Sequence, residues 1–406
     1  MPFSCKDNNG FKSVDLITAH ILRRERENEN MSVNFLADVL GISASHLSAI
    51  ELGKKKPSNE LLITLSKNLG VELSMDTNVK DSSADLLNKV LKYLVYNQSN
   101  MLVEMYNNIK EKEKNILYYS SGLIEYLLSI CISAYMLNEL NEVKDSIDEL
   151  NILEKISSLE HRKIIYLLNG VYYKELGDYE KASEYYSKSK VIVSENDCIN
   201  GYLSLKLAEV HCLLDKNIEG FKECECAIAY MTKVMAFDFL VYANAIKASI
   251  LVNENEEDAI SIFKSLLLID EIYPGILKNH KLMIYNNMSY GYMLNKNYSK
   301  SIIYTKLALE INDEINSIKY QVPYCYWKLC DEDNALLEIS KLKINTKTIE
   351  WYIITLIKKA ILHNDIEEDF KIFKDIIKFL KPNRYQLFLK EFCFDLDVYC
   401  KESLDN

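Results

Sequence analysis

Apolar residues recur at helical spacing along most of this chain, and short polar stretches separate one helical pattern from the next. In the N-terminal part, the pattern predicts short helices, including Lys12–Glu27, Ser43–Leu52 and Asn59–Asn68. From Ala84 onward, one helical pattern follows another. We therefore expect an all-α protein with three parts: an N-terminal domain at 1–75, a linker without apolar periodicity at 76–83, and a helical domain at 84–406.

The pattern around residues 31–58 predicts two short helices joined by a tight turn. Three apolar residues fall on one side of the first helix, where we expect them to face inward: Phe35, Leu36 and Val39. Gly41 allows the turn, since glycine adopts a positive φ without steric cost. Leu47 and Ile50 predict the buried side of the second helix. Serines precede the helices of this region, as N-caps do: Ser32, Ser43 and Ser58.

The outward side of the second helix carries short side chains, which let a helix approach the base edges in the major groove of DNA. We expect this side to bind DNA through Ser43, Ala44, Ser45, His46, Ser48 and Ala49. Three consecutive lysines follow the helix: Lys54, Lys55 and Lys56.

These spacings together resemble the Xre or lambda-repressor class of helix-turn-helix domains. The matching residues are Leu22-Arg23, Arg26, Phe35-Leu36-Ala37, Leu40-Gly41, Leu47-Ser48, Ile50-Glu51, Gly53, Pro57-Ser58, Leu61, Leu65 and Leu69-Gly70-Val71. The resemblance implies that Ala44, Ser45 and Ala49 lie where bases are read. It places Lys54, Lys55 and Lys56 in the loop that lies along the phosphates. It also implies a partly buried ion pair between Arg26 and Glu51. The family often has a phosphate-binding glutamine where this chain has Val33, so Asn34 or backbone amides would have to replace that contact.

The helical domain contains internal repeats. The clearest unit runs from Gly170 through Tyr173, Gly177, Asp178, Tyr179, Ala182 and Tyr186 to Ser189, and a second includes Tyr292, Tyr298, Ser301 and Ala308. These units resemble tetratricopeptide repeats, in which small residues lie where two helices cross. The resemblance implies a right-handed α-solenoid, in which stacked helix pairs bury a common core and leave a concave groove.

The first helix of each pair faces the groove in this repeat type. We expect the following residues to bind a peptide there: Tyr202, Glu209, Asn244, Asn286, Tyr290, Tyr324 and Trp327. Asn244 and Asn286 occupy equivalent positions, and an asparagine side chain can pair with a peptide backbone through one donor group and one acceptor. The alternative for the tyrosines is simple packing between helices.

Composition supports an all-α fold, and the distribution of charge supports DNA binding by the N-terminal domain. The chain has only 11 Gly and 5 Pro, too few to form the turns of a many-stranded β fold. Residues 1–75 contain nine Lys and Arg against nine Asp and Glu, so the remaining residues carry the whole net charge of −11. Because such a surface repels DNA, we expect DNA binding to be confined to the N-terminal domain.

A domain of this class followed by tetratricopeptide repeats is similar to the RRNPP group of regulators, which includes Rgg, PlcR, NprR and PrgX. The resemblance implies a cytoplasmic homodimer that binds a double-stranded DNA operator and whose DNA affinity is set by a short signalling peptide. One alternative is a scaffold whose repeats bind or sequester a partner protein while the helix-turn-helix tethers it to DNA. Another is a regulator that does both.

The sequence offers little for other chemistry. It has no phosphate-binding glycine loop, no metalloprotease or serine-hydrolase motif, and no pair of histidines at metal spacing on one helix. Cys224 and Cys226 would point in different directions on a helix, so we expect no metal site there. No secretory signal and no apolar stretch of membrane-spanning length occur. We therefore expect neither an enzyme nor a cofactor nor a membrane partner.

Overall fold

The computed structural model describes residues 10–73, 78–252, 254–278, 280–313, 316–342, 348–378 and 386–404. Within these residues the secondary structure is helical, and no strand is present. This confirms the predicted all-α class. The chain forms two compact units, the first made of residues 1–206 and 230–236, and the second of residues 207–229 and 237–406.

The described residues of the N-terminal domain, 10–73, form the helices α1 (Gly10–Asn28), α2 (Val33–Leu40), α3 (Ala44–Glu51) and α4 (Asn59–Asn68). The hydroxyls of Ser32, Ser43 and Ser58 accept hydrogen bonds from backbone amides in the first turns of α2, α3 and α4, which confirms the predicted N-caps. Gly41 ends α2 with φ 65°, the left-handed conformation that the predicted turn requires.

The prediction that Phe35 and Val39 face inward is wrong. These side chains are 56% and 51% exposed, whereas Leu36 is buried. The buried side of α2 instead combines Leu36 and Ala37 with the partly buried Val33 and Leu40. These four positions form the complete helical stripe, and the Phe35–Val39 pair lies outside it.

The rest of the first unit is also helical. The last two helices of the following list extend into the second unit. The helices are α5 (Val79–Val95), α6 (Ser99–Asn108), α7 (Lys114–Leu117), α8 (Leu123–Met136), α9 (Leu140–Leu153), α10 (Leu159–Glu175), α11 (Tyr179–Val191), α12 (Asp197–Leu213) and α13 (Asn217–Val234). A π-helical segment, Ile109–Glu113, precedes α7, and a 3-10 turn, Glu154–Ile156, follows α9.

The predicted linker is too long. Residues 79–83 already form the start of α5, where Val79 and Ser83 are buried. The sequence did not predict this start, because only two side chains of residues 79–83 face the core and the others are polar. Residues 76 and 77 lie outside the described part of the chain.

The second unit contains the helices α14 (Phe237–Leu251), α15 (Glu256–Ile272), α16 (Lys281–Leu294), α17 (Tyr298–Ile311), α18 (Asn316–Lys319), α19 (Gln321–Lys328), α20 (Glu332–Lys341), α21 (Ile349–Ile361), α22 (Glu367–Lys378) and α23 (Gln386–Leu404). Neighbouring helices pack in pairs, including α14 with α15, α16 with α17 and α19 with α20. The buried faces of these pairs merge into one core that extends to α23.

The predicted repeat unit at 170–189 is confirmed as the pair α10 and α11. Gly170 lies against the ring of Tyr186, so closely that an added Cβ would meet the ring carbons at 2.4 Å. Ser189 is buried, and its hydroxyl donates to the carbonyl of Lys163 at 2.8 Å. Small residues thus lie at this crossing, as the spacing predicts.

Candidate functional site

The second helix of the helix-turn-helix, α3, presents a polar side that the core does not use. Leu47 and Ile50 are buried, as predicted, and anchor α3 to the domain. Around them, Ser43 and Ser45 are exposed, and four further residues are half-buried at the surface: Ala44, His46, Ser48 and Ala49. The hydroxyls of Ser43 and Ser45 lie 3.1 Å apart. These positions therefore lie at the surface of the domain, although Ala44 also packs against its core.

An exposed lysine loop follows α3. Lys54, Lys55 and Lys56 are all exposed. The backbone amides of Lys54 and Lys55 both donate to the carbonyl of Ala49, at 2.8 and 3.1 Å, so the loop folds back on the end of α3. Three positive charges are thereby held beside the polar side of the helix, where phosphate contacts would add affinity.

A buried ion pair fixes α3 against α1, as the family resemblance implies. Arg26 donates to both carboxylate oxygens of Glu51, at 2.7 and 3.0 Å, and a third hydrogen bond reaches the carbonyl of Met31 at 2.6 Å. The hydrogen bonds to Glu51 outweigh burial and raise the pKa of Arg26. The predicted pair is confirmed, and it holds three segments of the domain together.

The N-terminal domain contacts the helices that follow it through α1. Arg24 forms an ion pair with the Glu149 carboxylate of α9, and His20 Nε2 lies 3.3 Å from the same carboxylate. The guanidinium carbon of Arg24 lies 4.0 Å from the centroid of the Tyr118 ring. Tyr119 packs against the apolar core of the N-terminal domain. We call these residues (His20, Arg24, Tyr118, Tyr119 and Glu149) the α1 contact.

Opposing effects act on the carboxylate of the α1 contact. Burial alone would raise the pKa of Glu149, but the hydrogen bonds from His20 and Arg24 and the positive charge of Arg24 lower it below its ordinary value. Burial alone would lower the pKa of Arg24. The charge of Glu149 and the hydrogen bonds to Glu25 and Glu149 outweigh burial, so the pKa of Arg24 is raised. Both groups are therefore charged in the folded protein at neutral pH.

The two predicted groove asparagines lie at equivalent positions. Asn244 of α14 and Asn286 of α16 each precede the first residue of the next helix by twelve positions. Both side chains are half-buried. Asn244 Nδ2 donates to the carbonyl of Leu240 at 2.9 Å, so its oxygen points away from its own helix backbone.

Asn286 is held by a buried polar network that sequence reasoning did not identify. Gln321 is fully buried, and its Oε1 accepts hydrogen bonds from Ser289 at 2.7 Å and from Thr305 at 3.1 Å. Its Nε2 donates to Asn286 Oδ1 at 3.4 Å. The oxygen of the Asn286 side chain is thus engaged within the protein. The available signal was a polar residue, Gln321, inside the apolar stretch 320–327.

Four of the other residues predicted for the groove are buried more deeply than the asparagines. Tyr202 of the first unit is buried, with the ammonium of Lys206 5.1 Å from its ring centroid. In the second unit Glu209, Tyr290 and Tyr324 are buried as well. Packing between helices, the alternative considered for the tyrosines, therefore describes Tyr202, Tyr290 and Tyr324.

Tyr324 and Trp327 lie together in an aromatic cluster with α23. The Tyr324 ring packs edge-on against Phe388 and Phe392, with centroids 5.0 and 5.9 Å apart, and its hydroxyl donates to Asp395 at 3.2 Å. Trp327 is half-buried and meets Phe392 at 6.2 Å. The C-terminal helix thus covers this pair.

The structure offers no assembled metal site among the residues it describes, since no group of three or more His, Cys, Asp or Glu side chains could hold an ion. Cys224 is buried and Cys226 is exposed, in line with side chains that diverge on one helix. Across the described residues, no single helix is long and apolar enough to cross a membrane; one bent pair, α2 with α3, passes on length and composition only.

Comparison with known proteins gives one match to the N-terminal domain and further matches to most of the chain. Residues 22–75 match the helix-turn-helix family model. No curated protein sequence matches the chain. The fold is similar to that of apo NprR, a quorum sensor from B. thuringiensis, with 14% identity, a TM-score of 0.63, and coverage of 80% of this chain and 99% of that one.

Two further solved structures share the fold. NprR in complex with its cognate peptide NprX has 16% identity and a TM-score of 0.60, with coverage of 79% of this chain and 98% of that one. A Rap protein complexed with competence and sporulation factor has 18% identity and a TM-score of 0.58, with coverage of 80% and 99%. The chain thus combines a helix-turn-helix domain with tetratricopeptide-like helical repeats that share the fold of these solved structures.

Proposed function

We propose that this protein is a cytoplasmic, DNA-binding transcription regulator whose affinity for its operator is controlled by a short peptide bound to the helical repeats. The observation that carries the proposal is the union of two parts in one chain. One is a helix-turn-helix domain with an exposed polar face on α3, and the other is a repeat region with the fold of NprR, a protein solved with its cognate peptide.

The DNA-binding surface of the proposal consists of α3 and the lysine loop. Side chains of Ala44, Ser45 and Ala49 contact base edges, and Lys54, Lys55 and Lys56 contact phosphates. Two copies of the chain read two half-sites as a homodimer, because one helix-turn-helix domain covers too few bases for a specific operator.

The peptide-binding surface consists of Asn244 and Asn286, one in each of two successive helix pairs. The amide nitrogen of Asn286 donates to a peptide carbonyl, while Asn244 offers its oxygen to a peptide amide. Peptide binding favours one arrangement of the repeats, and this changes the separation of the two DNA-binding domains. The activating or repressing direction depends on which arrangement matches the operator spacing.

The DNA part is tested by the salt dependence of binding to the DNA upstream of the protein's own gene. Changing Lys54, Lys55 and Lys56 to Gln is expected to weaken binding and to reduce the slope of log K against log salt by about 0.9 for each phosphate that the loop no longer neutralises. A matched control changes three exposed lysines of the repeats, Lys264, Lys278 and Lys371. An equal loss of affinity in both variants would contradict a phosphate-binding role for the loop.

The peptide part is tested with synthetic peptides from short reading frames beside the gene. One of them is expected to change operator affinity of the unmodified protein, and the double change Asn244→Ala and Asn286→Ala is expected to abolish this response while DNA binding persists. The control Asn295→Ala removes an exposed asparagine from the end of α16. If no peptide changes operator affinity and the protein captures a folded partner protein instead, the result supports the alternative that the repeats are a scaffold.

A further inference from the structure

A pocket of about 390 Å³ lies in the second unit, between the end of α20 and the helix α21. Its volume falls within the range of small-molecule sites, roughly 300–1,000 Å³. Five apolar side chains line it: Ile339, Leu342, Trp351, Ile354 and Leu362. Trp351 is half-buried, and its ring meets that of Tyr352 edge-on at 4.9 Å, which fixes its orientation. This wall favours an apolar group.

The remaining lining residues are polar and basic. They are Thr355, Lys358, Lys359 and Asn364. Lys359 is already paired with Asp369, at 2.5 Å. Lys358 is exposed, and the described residues place no carboxylate within ion-pair distance of it. One ammonium is thus available to an anion at the pocket.

The chemistry of a fitting ligand follows from these two features. An apolar wall with one available ammonium matches an apolar body that carries a single negative charge. The hydroxyl of Thr355 and the side-chain amide of Asn364 can add hydrogen bonds to a carboxylate. A phosphate dianion is a poorer match, because it is bound best by bidentate Arg or several backbone amides, and this pocket has neither.

We propose that this pocket binds an apolar group bearing a carboxylate, with the apolar part against Trp351 and Ile354 and the carboxylate on Lys358. The proposal goes beyond the peptide contacts of Asn244 and Asn286, and it holds whether or not those residues bind a peptide. Two sources share this chemistry: the C-terminal residue of a peptide and a free carboxylic acid.

The chain itself supplies a reporter for the test. It has two tryptophans, Trp327 and Trp351. The change Trp327→Phe leaves Trp351 as the single tryptophan, so its emission reports on the pocket of the full-length protein. The probes are N-acetyl-L-leucine, its amide N-acetyl-L-leucinamide, and hexanoate. Calorimetry on the unmodified chain gives the same affinities if Trp327→Phe fails to fold.

At least one of the two acids is expected to shift Trp351 emission, and the amide is expected to bind about tenfold more weakly or not at all, because it cannot pair with the ammonium. Lys358→Gln should weaken acid binding by about the same factor. The control Lys371→Gln changes an exposed lysine of α22 and should leave the affinity unchanged.

The pattern of binding distinguishes the sources. Binding of N-acetyl-L-leucine without hexanoate supports a peptide C-terminus, and the reverse supports a free acid. Equal binding of acid and amide, or no binding of any probe, would overturn the proposal. Neither result depends on operator binding or on the asparagine variants, so failure here is separate from failure of the proposed function.

Discussion

At the scale of single residues, the Arg26–Glu51 pair shows how one buried interaction positions a binding surface. Both side chains are less than 10% exposed, and Arg26 uses three donors, two of them to Glu51 and one to the carbonyl of Met31. If one partner of a buried ion pair is removed, the remaining charge stays buried without a partner and without water to solvate it. The angle of α3 therefore depends on α1 through this pair.

We predict that Arg26→Met alone destabilises the N-terminal domain by about 3–5 kcal/mol, since it leaves the Glu51 carboxylate buried and unpaired. The double change Arg26→Met and Glu51→Leu should cost much less, because it removes both charges. Amide hydrogen exchange across α1–α4 measures the difference. A double variant as unstable as the single one would show that packing, and not the charge pair, holds α3 in place.

A second residue-scale prediction concerns Gln321, which positions Asn286 through its Nε2. Gln321→Met keeps the length of the side chain but frees the carboxamide of Asn286 to rotate. Peptide affinity should then fall by about 1 kcal/mol, or five- to tenfold. The control Thr305→Val removes one donor to Gln321 but leaves Ser289 to hold it.

Both variants lose buried hydrogen bonds, so both should unfold at lower urea concentration. Only Gln321→Met should change peptide affinity markedly. Equal effects of the two changes on peptide affinity would mean that the network acts only on stability, and that Gln321 does not orient Asn286.

At the scale of helices, close crossings decide which glycines matter. Gly170 of α10 touches the ring of Tyr186, whereas the nearest atom to a Cβ added at Gly291 of α16 is 3.7 Å away. Gly170→Ala is expected to cost about 1–3 kcal/mol through overpacking. Gly291→Ala should be neutral or stabilise by up to about 1 kcal/mol, because alanine favours a helix interior. Urea unfolding measures both, and a similar cost at both sites would contradict the crossing geometry.

Local patterns of sequence were sufficient for most of these elements. The capping serines, the turn at Gly41 and the boundaries of Asn59–Asn68 agree with the structure, because each depends on residues within one or two turns. The repeat unit at 170–189 could be predicted for the same reason.

Predictions failed or were incomplete where distant residues decide the outcome. Phe35 has an apolar neighbour at the right spacing, yet the core of the domain lies on another side of α2. Glu149 could not be assigned to the α1 contact, because its partners lie more than 100 residues away in sequence. The partners of Gln321 come from two other helices, α16 and α17, so its role also needed the tertiary structure.

At the scale of the whole molecule, net charge distinguishes the N-terminal domain from the rest of the chain, and the α1 contact joins this domain to α9. The N-terminal domain is neutral and presents the lysine loop, while the remaining chain carries the net charge of −11. Any change in the repeats must reach the DNA-binding helix through the chain or through packed side chains. Within the described residues, the α1 contact supplies such packing between α1 and α9.

The carboxylate of the α1 contact makes the coupling dependent on pH. The pKa of Glu149 is lowered in the folded protein. Its contribution is therefore complete above the ordinary carboxylate pKa of about 4.3, and it is lost as the pH falls through the lowered value. Glu149→Gln should reduce the protection of α1 from hydrogen exchange by about 1.5–3 kcal/mol at pH 7. The difference from the unmodified protein should shrink as the pH falls through the lowered pKa of Glu149.

The same variant separates binding from coupling. Glu149→Gln alters neither α3 nor the asparagines, so operator binding and peptide binding should each persist. The change in operator affinity that peptide causes should become smaller, because the N-terminal domain is no longer held against α9. The control Asp148→Asn changes an exposed carboxylate one residue away and should leave the response intact. An undiminished response in Glu149→Gln would mean that the signal reaches the N-terminal domain through the chain connection instead.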